Sequence, residues 1–334
     1  MARIQRLTVT RLPSEMTVIE IAGGAGGPEA LRPAKTPTPA PGAGEILIRV
    51  RAAGVNRPDI LQRQGHYPPP QGAPAHLGLE VAGEVAVAAG RWRVGDHVCA
   101  LLGGGGYGQY AAVDARHALP VPAGLDMVQA AALPQTAFTV FANVLEHGAL
   151  KAGETLLVHA ATSGIGVMAV QMGKAAGARV IATARGADKA AHARALGADI
   201  AIDAAAQDFG AAVKAVGGAD VILDMVGGPY LTGNLEALKS RGRIVYIASL
   251  GGAELTVPVF QLMRKQAVLT GSTLRARPAD EKARLAAAVE ATVWPWIAAG
   301  RIRPVIDKVF PLEQAAAAHE AMEAAHVGKV VLTI

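Results

Sequence analysis

The run from Thr155 to Val170, TLLVHAATSGIGVMAV, constrains this chain more than any other, because it reads as a buried strand passing through a glycine-containing turn into a helix. The strand is Thr155 to Val158. Ala161, Ser163 and Gly166 fall on the three glycine positions of the dinucleotide-binding fingerprint, and Gly164 adds a further glycine beside Ile165. Two of the three positions are therefore not glycine, yet side chains this small still let a backbone approach a diphosphate. Its charge would meet the free N–H groups and the positive dipole end of the helix beginning near Gly164. The same pattern is open to a plainer reading as a tight structural turn.

Apolar runs recur downstream at Arg179 to Thr183, Asp199 to Ile202, Asp220 to Met225 and Arg243 to Ile247, separated by segments that read as helices. Strands buried on both faces by crossover helices lose the polar alternation of a half-exposed strand, and these runs show that loss. The series predicts an α/β domain with a doubly wound parallel sheet. Lys174 with Gly177, and Arg194 with Gly197, place a basic residue in a last helical turn and a glycine just beyond it.

The strand after the glycine turn bears on the cofactor. An acidic residue about 20 positions on would accept the adenosine ribose hydroxyls of NAD, and none stands there. The strand ends Thr183, Ala184, Arg185, Gly186, with Lys189 one turn into the next helix. An arginine forks onto a phosphate that a carboxylate would repel, so the pattern predicts NADPH, with Arg185 and Lys189 on the 2′-phosphate. The plainer alternative is two solvated charges at a helix start.

A chain of 334 residues exceeds what one domain usually holds. No run of about 18 apolar residues appears, and the first nine residues alternate like an edge strand without the apolar core of a signal peptide. The expected protein is soluble and makes no membrane contact. The single cysteine, Cys99, excludes an internal disulfide framework and suits a reducing cytoplasm. The net charge of +5 suits an anionic cofactor, and its spread along the chain argues against nucleic-acid binding. Before residue 128 the texture changes to short β-rich runs, Glu45 to Ala52, Glu80 to Val87 and Asp96 to Leu102, between Pro/Gly clusters, which predicts a compact, partly open barrel. Pro33 to Gly44, with four prolines, reads as an extended surface connection. Beyond residue 272 a helical segment, Asp280 to Ala299, precedes a strand-like Val305 to Phe310. The expected organisation is a catalytic domain of residues 1–128 and 273–334 with a nucleotide domain, 129–272, inserted in it.

Ala53 to Pro68 (AGVNRPDILQRQGHYP), Leu77 to Val85 (LGLEVAGEV), Ala131 to Val140 (AALPQTAFTV) and the glycine turn together resemble the medium-chain dehydrogenase/reductase superfamily over essentially the whole chain. The resemblance is stronger to its zinc-independent quinone oxidoreductase branch. Gly271 to Arg277 (GSTLRAR) and Gly328 to Leu332 (GKVVL) are similar to the subgroup that includes the p53-inducible quinone oxidoreductase, as is Ser163 before the glycine pair. The resemblance implies a GroES-like catalytic domain, an inserted Rossmann domain, and a cleft between them for the nicotinamide. It also implies a homodimer joined near Val268 to Thr270.

Where the zinc alcohol dehydrogenases of this superfamily carry a catalytic cysteine the chain has Asn56, and where their zinc histidine follows a glycine it has Leu79. The glycine run after Leu102 leaves no room for a four-cysteine zinc lobe. The chain is therefore expected to use no metal. Without a Lewis acid the acceptor must be electrophilic in itself, a quinone or an α,β-unsaturated carbonyl. Asn56 and Tyr67 are the candidate catalytic donors, by position in the family's cleft motif and by chemistry: the Asn amide to a carbonyl oxygen or the ribose, the Tyr hydroxyl to the reduced oxygen. As alternatives, Asn56 is a turn residue and Tyr67 a packed loop residue. The resemblance further places Thr136 at a helix start facing the nicotinamide, unless it is a plain cap. It puts Ser249, Leu250 and Gly251 after the fifth strand of the inserted sheet, and Leu274 and Arg275 after its last, with main chain that could close over the cofactor. The alternative for Arg275 and Arg277 is that they are solvated, and Phe260 is either a lid or core. Three functions fit: an NADPH-dependent quinone reductase, an NADPH-dependent reductase of activated C=C bonds in enones or enoyl thioesters, and a non-catalytic NADPH-binding or sensing protein.

Overall fold

The computed structural model describes residues 12–334. The expectation of an edge strand over the first nine residues lies outside them. Seven strands come first: β1 (Glu15–Ile21), β2 (Leu31–Pro37), β3 (Glu45–Val55), β4 (Glu80–Val87), β5 (His97–Leu101), β6 (Tyr110–Asp114) and β7 (Ala118–Pro120). Six more follow, β8 (Thr155–Val158), β9 (Arg179–Ala184), β10 (Ile200–Asp203), β11 (Ala219–Asp224), β12 (Leu238–Tyr246) and β13 (Val268–Gly271), and the chain closes with β14 (Ile306–Pro311) and β15 (Lys329–Thr333).

Strands β8 to β13 form one parallel sheet in the order β10-β9-β8-β11-β12-β13. Strand order reverses direction at β8, so the crevice at its carboxyl end is the place where an open α/β sheet takes ligands. The crossover helices bury both faces. On one, Leu156, Val158, Val221 and Leu223 pack against Met168, Ala169 and Met172 of the helix Gly164–Ala175; on the other, Leu157, Ile181, Ile222 and Ile244 pack against Phe209, Val213 and Leu235. This two-sided burial is why the strands read as unbroken apolar runs.

The second sheet runs β14-β15-β3-β4-β5-β7, with β6 also on β3. All its pairs are antiparallel except β14 with β15. The eleven-residue β3 is long enough to pair with β6 through its first half and with β15 through its second, which curls the sheet towards a barrel. The strand β15 comes from the far end of the chain, so residues 306–333 return to the sheet that residues 45–120 begin. The helix Ala279–Ala298 lies against both sheets' shared core through Leu285, Val289, Val293 and Ile297, spaced four apart on one stripe.

One sequence expectation is corrected here. The stretch Pro33 to Gly44 is not a connection throughout: its first part belongs to β2, which pairs with β1 from Leu31 opposite Ile21 to Pro37 opposite Glu15. Prolines are tolerated there because β2, which carries them, is the outer strand of this two-stranded ribbon and has an edge where an N–H is not needed.

Candidate active site

The turn after β8 is built for a close approach. Ser163 caps the helix Gly164–Ala175, its Oγ accepting from the Gly166 N–H at 3.0 Å. Ala161 donates its N–H to Thr183 O at 3.0 Å, tying the turn to the end of β9. A side chain at Gly166 would bring a Cβ within 2.6 Å of Ala161 Cα, so this one glycine position of the fingerprint is obligatory. Gly164 and Ile165 keep first-turn N–H groups that no helical carbonyl can reach. A Cβ on Gly164 would lie 2.7 Å from Lys329 Cδ. The turn is thus a cradle of backbone donors, and its shape and polarity fit the diphosphate of a dinucleotide.

Beneath it lies a polar network that the sequence reading missed. His159, fully buried, sits between Thr183 Oγ1 at 2.8 Å from Nδ1 and Asn234 Oδ1 at 2.7 Å from Nε2. Asn234 donates its amide to Asp224 Oδ2, and Asp224 Oδ1 accepts from Val226 and Gly227 N–H. Because the Asn234 amide faces the carboxylate, its oxygen must accept from His159 Nε2–H, which leaves Nδ1 to accept from Thr183. Burial pushes the His159 pKa down and keeps the ring neutral. The network joins the carboxyl ends of β8, β9 and β11 under the glycine turn.

At the end of β9 Arg185 is exposed and, among the described residues, forms no ion pair; Lys189 is half-buried and likewise unpaired. The nearby carboxylate, Asp203, is occupied by the N–H groups of Gly186 and Ala205, which hold it below the usual carboxylate range. Two cations therefore border the place where an adenosine ribose would lie, with the exposed Asp188 between them at the start of the next helix.

Further along the same edge, Leu250 and Gly251 donate N–H to Met225 O and Val226 O at 3.2 and 2.7 Å, and Ser249 packs against Gly227. A cavity of about 330 Å³ opens there, lined by Gly227, Tyr246, Ser249, Leu269, Thr270 and Gly271 among others, and the buried Tyr246 hydroxyl finds no partner among the described residues. Leu250 is exposed, whereas Leu274 turns its side chain into the core and offers only main chain.

Across from the turn, Asn56 caps the helix Arg57–Arg63 and is buried. Its Nδ2 donates to Gly54 O at 3.2 Å and Glu80 Oε1 at 2.9 Å, and its Oδ1 accepts from Lys329 Nζ at 2.6 Å. Both amide hydrogens are engaged, so the expectation that Asn56 donates to an acceptor's oxygen is corrected. Lys329 Nζ also donates to Glu80 Oε1 at 2.6 Å and Val55 O at 3.0 Å, while Glu80 Oε2 accepts from Gln135 N–H at 2.9 Å. Sequence reasoning assigned Lys329 and Glu80 no role. The available signal was a lysine inside an apolar strand, which can be buried only against a counter-charge. Gly328 donates its N–H to Thr162 O at 2.8 Å and bridges Ser163, so β15 carries this network to the rim of the nucleotide turn.

Tyr67 lies on the loop after Gln64, half-buried, under the guanidinium of Arg275 at 5.4 Å from its ring centre. Arg275 is not solvated, which corrects that reading of its side chain: it is buried, donating to Gly103 O and Gln62 Oε1 at 2.8 Å each. Arg277 is pinned too, against Glu281 and Ser272. Thr136 is buried in the helix Pro134–Val140 and returns its hydroxyl to Ala132 O and Leu133 O, so it is not the cap. Phe260 is 75% exposed and not core. Leu79 is buried, and among the described residues no group of three His, Cys, Asp or Glu side chains could hold a metal.

A parallel sheet with this turn, joined to a curled antiparallel sheet through a shared rim, defines a two-domain dinucleotide-linked enzyme. Residues 42–123 match the family described as alcohol dehydrogenase GroES-like domain, and residues 164–291 match that described as zinc-binding dehydrogenase. The chain belongs to the medium-chain dehydrogenase/reductase superfamily and is an oxidoreductase of that type. Within it, the quinone oxidoreductase branch is the one it joins: a quinone oxidoreductase of Lama guanicoe is 32% identical over 92% of this chain and 95% of its own length. Among solved structures, an NAD-dependent alcohol dehydrogenase is 31% identical with a TM-score of 0.85, covering 96% of this chain and 99% of that one. A mycobacterial protein complexed with NADPH is 29% identical with a TM-score of 0.84, covering 96% and 100%. These two solved relatives differ in the nucleotide that their descriptions name, so the preference of this chain rests on its own residues.

Proposed function

We propose that the chain is a metal-independent, NADPH-dependent quinone oxidoreductase. The observation that carries this reading is the closed network of Asn56, Glu80 and Lys329: its charges are mutually neutralised and its donors engaged, so it supplies no strong acid or Lewis acid to an acceptor. Only an acceptor that delocalises the incoming charge onto its own oxygen reacts under those conditions.

NADPH would supply the hydride equivalent at nicotinamide C4. The free N–H groups of Gly164 and Ile165 would hold the diphosphate, while Ser163 and Gly166 shape the turn through their own hydrogen bonds and Ala161 packs behind them. Arg185 and Lys189 hold the 2′-phosphate. The helix turn at Thr136 and the main chain at Ser249, Leu250, Gly251, Leu274 and Arg275 border the nicotinamide half. Asn56 Oδ1, with a lone pair beyond the one Lys329 uses, accepts from a ribose hydroxyl and so acts as a positioning residue. Tyr67 donates its hydroxyl to the oxygen that becomes reduced, and water protonates the product.

The test is the initial rate of NADPH oxidation by EDTA-treated protein with an ortho-quinone and with a simple enone, each repeated with NADH. Faster turnover with the quinone and NADPH is expected. Preference for the enone would move the assignment to C=C reduction, and no rate with either would leave only nucleotide binding.

A further inference from the structure

The Arg275 guanidinium is buried, and among the described residues it forms no ion pair with a carboxylate. Its acceptors are all neutral: Gly103 O and Gln62 Oε1 at 2.8 Å, and Tyr67 O in a longer contact of 3.4 Å. Burying an uncompensated charge costs several kcal/mol and is retained only where something specific is gained. What Arg275 gains is reach. It stands four residues after β13, the last strand of the parallel sheet, and each group it touches lies within residues 62–103, among the strands of the antiparallel sheet.

The segment that carries it is itself tied down. Ser272 Oγ donates to Asn143 Oδ1 at 2.8 Å, Arg277 donates to Ser272 Oγ and Thr273 O at 2.9 Å, and Lys282 Nζ donates to Arg275 O at 2.6 Å. The partner loop is less constrained: from Tyr67 onwards it runs through Pro68, Pro69 and Pro70 with no strand or helix of its own. Gln62, whose Oε1 accepts from Arg275, donates its Nε2 to Ala75 O at 2.8 Å and so closes the far end of the loop. One cation just beyond the parallel sheet thus fixes the two ends of the acceptor loop and covers a face of the Tyr67 ring.

We propose that Arg275 is a positioning residue, a strut from the end of the parallel sheet that sets Tyr67 and its loop in place and so shapes the acceptor side of the cleft. The role of Tyr67 towards an acceptor rests on the proposed function; the strut itself does not. Replacing Arg275 therefore separates the loop from the nucleotide site: acceptor recognition weakens while NADPH binding holds.

The test uses the full chain with Arg275→Gln, which removes charge and fork, and Arg275→Lys, which keeps the charge and loses the planar fork. Amide hydrogen exchange over residues 65–77 should quicken by about tenfold or more in both variants, as expected when local opening becomes easier by one good charged contact. Because position 275 would meet the nucleotide through its main chain alone, which both variants keep, NADPH affinity, read by nicotinamide fluorescence, should stay within about twofold of the parent, and KM for the ortho-quinone should rise about tenfold. Adding Tyr67→Phe to Arg275→Gln should cost little more than either alone, because the two act as one unit. Unchanged exchange over the loop in both variants, or fully multiplicative losses, would overturn the strut. Absence of quinone turnover in the parent would defeat the proposed function alone, because the exchange experiment still decides for or against Arg275.

Discussion

At the residue scale, two side chains give direct tests. Arg185 is exposed and unpaired at the end of β9, so Arg185→Ala should weaken NADPH binding by about tenfold or more, the scale of one charge-assisted contact, and leave NADH little changed. Equal losses for both nucleotides in parallel fluorescence titrations would mean that Arg185 supports the loop instead. Asp59 concerns pH. It is buried beneath Asn56, accepts from the N–H groups of Asn56 and Gly78 and the Tyr107 hydroxyl, and burial pushes its pKa up to about 6. A raised acid pKa means that the folded state holds the proton more tightly than the unfolded one. Stability from this group is therefore greatest at low pH and falls as pH rises from about 4 to about 6. Urea midpoints across that range should decline in the parent and flatten in Asp59→Asn; parallel slopes would place the proton elsewhere. Residue identity made Arg185 legible from sequence. The engagement of Asn56 was not, because a side chain's partners arrive from β4 and β15, far along the chain.

At the element scale, the glycine turn was legible because its requirements are local. The Ser163 cap, the Gly166 contact with Ala161 and the helix start all involve neighbours in sequence. Gly166→Ala should push the helix off the turn, costing about 1–3 kcal/mol as overpacking does, and weaken both nucleotides alike. Thermal unfolding alongside nucleotide titration checks this, and unchanged values for both would show that the turn has slack. The β1–β2 ribbon was misread for the opposite reason: prolines mark a segment as unfit for a central strand, but they do not reveal that a partner strand lies beside its outer edge.

For the whole molecule, the decisive contact is the one that Lys329 makes. It links β15 to β3, β4 and the rim of the nucleotide turn through groups at positions 55, 56, 80 and 164. Lys329→Met leaves Glu80 buried without its counter-charge and should cost about 3–5 kcal/mol, whereas Lys329→Met with Glu80→Gln should recover part of that loss. Denaturant unfolding of the three variants decides it; a double variant as weak as the sum of the singles would remove the pairing argument. The oligomer also belongs to this scale. β13 is one of the two edges of the parallel sheet, and Val268, Val259, Phe260, Met263 and Leu250 are exposed around it, which supports a homodimer closed along that edge. Light scattering should give twice the chain mass, and a monomer would end that proposal.

By itself the sequence determined the parallel sheet, the nucleotide turn and the cations at the end of β9, since each follows from periodicity or from residues adjacent in the chain. Tertiary structure alone decided that Asn56 is held rather than free, that Arg275 braces Tyr67, and that Lys329 and Glu80 form the buried pair at the domain rim. Those facts depend on which distant strands pair, and the burial and neutralisation of a charge are set by partners that local sequence does not contain.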